Sequence, residues 1–248
     1  MKDATQIVIV LDRSGSMEAV REATIASFNE FMTSQKAHPS EASLFFVQFN
    51  TEYQVLFDKP LAKAPALSYL TYQPNGATAL YDALGQTIDS IGQRLSAVPE
   101  YERPNKVIFV VLTDGLENSS RRYSQQMIAD RIERQRSKYS WEFVFLGANQ
   151  DAVLTAHELN IPMGAAMSYC ATPREIGASM KAANRYVGAF RRGMTAVFSE
   201  EERAAAVGQG SEPEPEGDTD DETGSNRLSS LLSWFRRSDK TATPSNQP

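Results

Sequence analysis

Two runs of the chain, QIVIVLD at 6–12 and KVIFVVLTDG at 106–115, present almost no polar side chain on either face before their last residues. Both are short and rich in β-branched residues. A strand of that kind belongs inside a sheet covered on both sides. The surrounding segments supply the cover. Met17 to Lys36 places Val20, Ala23, Thr24, Ala26, Phe28, Phe31 and Met32 on an apolar stripe at helical spacing. Thr78 to Ser96, Tyr123 to Lys138 and Pro173 to Arg192 also read as helices, the last with proline near its first turn. Asp151 to Leu159 reads as a short one. ASLFFVQFN, WEFVFLGA and the weaker AAMSY read as further strands. EYQVLFD follows ASLFFVQFN closely, so it is expected to return as an antiparallel edge strand. The pattern predicts an α/β fold: a doubly wound, mostly parallel sheet with one antiparallel edge strand.

Composition limits the rest. At 248 residues and 41% hydrophobic, the chain suits one substantial α/β domain with additional material. The formal charge of -6 is unevenly spread. Ser211 to Gly224 holds seven acidic residues and no basic ones, and Ser225 to Lys240 carries a net +3. The first 210 residues are therefore close to neutral and give no basis for nucleic-acid binding. A single cysteine, Cys170, excludes an intrachain disulfide and a cysteine zinc site and points to a reducing compartment. MKDATQIVIVLD lacks the form of a signal peptide, and no apolar run approaches the ~20 residues of a membrane helix. A cytoplasmic protein without a membrane span is expected. The expected organisation is a folded domain at 1–206, an acidic disordered linker at 207–224, an amphipathic helix at 225–240 and a disordered tail at 241–248.

Three oxygen-rich segments stand at strand-to-helix transitions. Asp12-Arg13-Ser14-Gly15-Ser16 closes the first strand. NGATALYDAL places Thr78 where a loop turns into a helix. LTDGLEN places Asp114 at the end of the most apolar strand. In a parallel sheet such transitions share one edge, so segments distant in sequence can converge. Three hydroxyls and two carboxylates form an all-oxygen set suited to a hard divalent cation such as Mg2+. Gly15 permits a tight turn between the two serines.

The order D-x-S-G-S, then T, then T-D-G resembles the metal-ion-dependent adhesion site of von Willebrand factor A domains, with the likeness running from about Thr5 to Arg192. The resemblance implies that Ser14, Ser16 and Thr78 are hydroxyl ligands. Asp12 and Asp114 would bind directly or through water. No element of the motif is missing. It further implies Mg2+ or Mn2+ as the metal, and a protein partner whose Asp or Glu completes the coordination shell. Compact bacterial and phage-like relatives often serve as adaptors beside ATPases or stress-response systems, so a binding module is expected rather than an enzyme.

Each of these residues also has a plainer reading. Asp12, Ser14 and Ser16 alone would suit a helix cap; Thr78 and Asp114 favour the metal. Asp82 reads as a hydrogen-bonding neighbour of the site or a solvated helix carboxylate. Glu117 and Asn118 read as loop residues first and site modulators second. His38 and His157 read as surface residues, Cys170 as a small buried hydrophobe, and Arg121 and Arg122 as solvated or capping cations. The enzyme alternative is a Mg2+-dependent phosphatase of the haloacid dehalogenase type. It needs a second Asp where Ser14 stands and a placed Lys. The P-loop and the serine-hydrolase elbow are absent.

Leu228, Leu231, Leu232 and Phe235 fall on one helical face, closed by Arg236 and Arg237. This tail reads as a docking helix for a second protein site. A membrane-surface anchor is the weaker reading, because the acidic run upstream would be repelled by anionic lipid.

Overall fold

The computed structural model describes residues 2–148 and 152–209. Its six-stranded sheet has the order β3-β2-β1-β4-β5-β6. The strands are β1 (Lys2–Asp12), β2 (Glu41–Phe49), β3 (Tyr53–Pro60), β4 (Pro104–Thr113), β5 (Glu142–Ala148) and β6 (Ala166–Tyr169). All neighbours are parallel except β2 and β3. The expected hairpin therefore forms, with the three residues 50–52 at its turn. Asn50 closes the turn: its N–H donates to Glu52 O, and its Oδ1 accepts from Glu52 N at 2.7 Å. The pairing shifts by one residue around Leu56, a bulge suited to an edge strand.

The helices are α1 (Arg21–Lys36), α2 (Leu80–Ser96), α3 (Gln125–Tyr139), α4 (Ala152–Glu158), α5 (Pro173–Arg191) and α6 (Glu200–Ala206). Adjacent residues of β2 show the two covered faces. Phe46 stacks on Phe28 of α1, while the Arg94 guanidinium of α2 lies over the Phe45 ring. Helix α5 joins the α1 side, where the Arg191 guanidinium donates to Gln35 O and Oε1 and to Ser40 O. Helix α3 joins α2 through Arg131 and Asp89. Ile7 to Leu11 and Ile108 to Leu112 are all buried, as strands with two apolar faces require.

Local differences have local causes. The helix expected from Met17 opens as a 3-10 turn, Gly15–Val20, and becomes α-helical at Arg21. Thr78 stays outside α2, which begins at Leu80. Helix α6 was not anticipated. It is fixed by a capping box in which Ser199 Oγ accepts from Glu202 N and Glu202 Oε2 accepts from Ser199 N. Val207 to Gln209, expected as the start of the linker, end this helix instead. Gly208 takes the left-handed conformation, and Gln209 N donates to Ala204 O. Cys170 is half-buried rather than buried, with its thiol 3.6 Å from Val207 O. His38 is also half-buried, and its Nδ1 faces the N–H and hydroxyl of Ser40. The linker from 210 on, the helix at 225–240 and the tail at 241–248 lie outside the described residues. Among the described residues no helix is long and apolar enough to cross a membrane.

Candidate metal centre

The chain winds outward from β1 through β2 to β3, then crosses to β4 and winds the other way. β1 and β4 therefore flank the point where the strand order reverses. Ligands of open α/β sheets sit outside the carboxyl ends of strands at such a point. Asp12 is the last residue of β1, and Asp114 directly follows β4.

The acidic and hydroxyl groups interlock there. Asp12 is fully buried; its Oδ1 accepts from Ser14 N at 2.6 Å and its Oδ2 from Thr113 Oγ1 at 2.6 Å. Ser14 Oγ lies 3.1 Å from Ser16 Oγ, and Ser16 Oγ donates to Asp114 Oδ1 at 2.6 Å. Thr78 reaches the same place from the loop before α2. A Cβ on Gly115 would stand 2.7 Å from Thr78 Oγ1 and 3.7 Å from Ser16 Oγ, so both hydroxyls crowd one glycine. The five residues expected from the sequence thus meet at one edge.

Several fastenings were not read from the sequence. Thr113, inside the LTDG run, orients Asp12. Tyr72 and Tyr169, both buried, donate to Asp12 O at 2.7 Å and Thr113 O at 3.1 Å, holding the two strand ends from below. Gly15 N donates to Gly76 O at 3.0 Å, and Gly76 has φ +74. The Asn75-Gly76 pair was the available signal for this turn. Asn118 Oδ1 accepts from Thr78 N at 3.0 Å, so Asn118 positions a proposed ligand. Glu117 is a loop brace: its carboxylate accepts from the N–H groups of Tyr81, Ser119 and Ser120 and from Ser120 Oγ. Asp82 braces the next segment by accepting from the N–H groups of Arg121, Arg122 and Tyr123. Burial tends to raise its pKa, but these bonds hold it below the ordinary carboxylate value. His157 is exposed, and neither histidine is among the groups that fasten these carboxylates.

The electrostatics favour a cation. Burial pushes Asp12 up to about 6, against the pull of its bonds from Thr113 and Ser14; the charge of Asp114 pushes the same way. Burial also raises Asp114, partly offset by the Ser16 hydroxyl. No Lys or Arg pairs with either acid among the described residues. Two desolvated carboxylates facing three hydroxyls fit a small divalent ion, which would supply the missing positive charge. Among the described residues no cluster of three His, Cys, Asp or Glu offers a rival site.

The family model for the von Willebrand factor type A domain matches residues 6–157, more than half of the chain. The chain belongs to this family. No characterised protein matches it by sequence. Its fold is similar to that of a von Willebrand factor type A protein from Catenulispora acidiphila, at 17% identity and TM-score 0.50, covering 76% of this chain and 43% of that one. The PilB minor pilin of Streptococcus sanguinis is similar at 11% identity and TM-score 0.51, covering 74% and 61%. So is proximal thread matrix protein 1 from the mussel byssus, at 15% identity and TM-score 0.51, covering 74% and 46%. That last structure has zinc in its metal-ion-dependent adhesion site. The vWA chain described here thus spans less than two thirds of the length of each of these structures, and at these identities the likeness concerns the fold.

Proposed function

We propose that this vWA domain is a metal-dependent protein-binding module. Asp12, Ser14, Ser16, Thr78 and Asp114 hold one Mg2+ or Mn2+, and a carboxylate of a partner protein completes the shell. The observation that carries this reading is the convergence of three hydroxyls and two buried acids at the β1–β4 reversal. With only two protein carboxylates, the bound ion remains electrophilic toward a third. The hydroxyls and carboxylates of the centre are assigned to holding the ion, so we read it as a binding site rather than a catalytic one, in an adaptor of the compact bacterial or phage-like type acting in the cytoplasm. The mussel protein with zinc in its adhesion site supports a divalent ion in this fold.

Isothermal calorimetry with Mg2+ and Mn2+ tests the metal assignment. One ion per chain is expected, with binding lost in Asp12→Ala and Ser14→Ala while circular dichroism stays unchanged. Undiminished binding by a folded Asp12→Ala variant would refute it.

A further inference from the structure

This inference rests on the metal-bridged reading and names the chemistry beside the bridging carboxylate. A Cβ on Gly115 would meet the Thr78 and Ser16 hydroxyls, and the next residue, Leu116, is 68% exposed. An exposed leucine on a loose loop would be ordinary. Leu116 lies on a fastened one. Asp114 and Gly115 precede it, tied to Ser16 and Thr113. After it, Glu117 accepts three bonds from Ser119 and Ser120 that turn the loop and one from Tyr81 N that ties it to the start of α2. The N–H groups of Asn118 and Ser119 both donate to Thr78 O, at 3.1 and 3.2 Å. The loop therefore holds an apolar side chain in water beside the metal-binding hydroxyls. Slightly further along, Arg121 and Arg122 are exposed, with their backbone N–H groups pinned by Asp82 and the Arg122 guanidinium donating to Gln86 Oε1 of α2 at 3.2 Å.

We infer that Leu116 is a specificity-determining residue, and that the partner presents its bridging Asp or Glu directly beside a large apolar side chain. The cation selects the carboxylate, and Leu116 selects the apolar neighbour. Ordering costs on the protein side are small, because the loop is already fastened.

Two blocked pentapeptides, Gly-Leu-Glu-Leu-Gly and Gly-Ser-Glu-Ser-Gly, test this. Each is titrated by NMR into the full chain in saturating Mg2+, and again in chelator. The leucine-flanked peptide is expected to bind about fivefold tighter, the effect of partly burying one leucine-sized side chain. Leu116→Ser should erase that preference while calorimetric Mg2+ affinity stays unchanged. Met194→Ser, at an exposed apolar position that follows α5, should keep it. Equal binding of the two peptides, lost in chelator, overturns the role of Leu116 and leaves the metal bridge standing. Binding that survives chelator overturns both, and binding of neither peptide overturns the inference.

Discussion

Asp12 is fully buried, yet it has to be charged to hold a cation. Its folded-state pKa of about 6 lies above the ordinary 3.8. Between those values the folded chain keeps the proton while the unfolded chain releases it. Metal-free stability therefore falls as pH rises from about 4 to about 6, by up to about 3 kcal/mol from this group. Metal binding has the opposite slope, because protons compete for the same oxygen. Urea denaturation at pH 4.5 and pH 7, with and without Mg2+, should show stabilisation by Mg2+ at the higher pH and little at the lower. Asp12→Asn should be more stable than the parent at pH 7 without metal and gain nothing from Mg2+. Gly115 makes a second prediction at this scale. Its φ is not in the left-handed region, so Gly115→Ala acts by contact alone, with the new methyl meeting Thr78 Oγ1. Calorimetry should show Mg2+ affinity reduced at least about tenfold, a loss of 1.4 kcal/mol or more, with the fold retained.

At the scale of elements, the 3-10 turn after Ser14 and the late start of α2 have a common purpose. Each keeps a hydroxyl-bearing segment out of regular helix, so its side chain can turn toward the sheet edge rather than along a helix surface. Helix α6 is different in kind. It is short, and its charged residues give no clear apolar stripe, so its stability depends on its ends, on the Glu202–Arg185 pair to α5 and on Arg203. That guanidinium donates to Ala166 O and Met163 O, tying α6 to β6 and the turn before it. Ser199→Ala should remove the Oγ half of the capping box and cost roughly 0.5–2 kcal/mol. A urea midpoint unmoved by this change would show that the bonds of Arg203, of Glu202 to Arg185 and of Ala206 O to Cys170 N sustain the helix without the cap.

For the whole molecule, the site sits between the two halves of a doubly wound sheet, so an ion held there as proposed would join β1, β4 and the loop before α2. Unfolding separates these segments and destroys the site. Mg2+ at one hundred times its dissociation constant should therefore stabilise the fold by about 2.7 kcal/mol. For a domain of this size that raises Tm by roughly 5–11 °C. Calorimetric scans should show this rise with Mg2+, its loss in chelator, and no equivalent rise with NaCl of matched ionic strength.

Much of this was legible in local pattern. Strands with two apolar faces, helices with one apolar stripe, and a short turn before EYQVLFD suffice for a parallel sheet with an antiparallel edge. Oxygen-bearing residues at three strand-to-helix transitions, read with the resemblance to the metal-ion-dependent adhesion site, single out Asp12, Ser14, Ser16, Thr78 and Asp114, because a parallel sheet puts every such transition on one edge. The capping box of α6 was also present, in Ser199 and Glu202, but a seven-residue helix without an apolar stripe is easily missed. Other features exist only between segments far apart in the chain. Tyr72 and Tyr169 support the strand ends, Asn118 orients Thr78, and Glu117 and Asp82 turn inward to brace loops. A tyrosine or a glutamate reads the same in the chain whether it faces water or a backbone N–H group. Side-chain periodicity reports which face of its own element a residue occupies. Its hydrogen-bond partner depends on what folding brings opposite, and the burial that lifts Asp12 to about 6 arises in the same way.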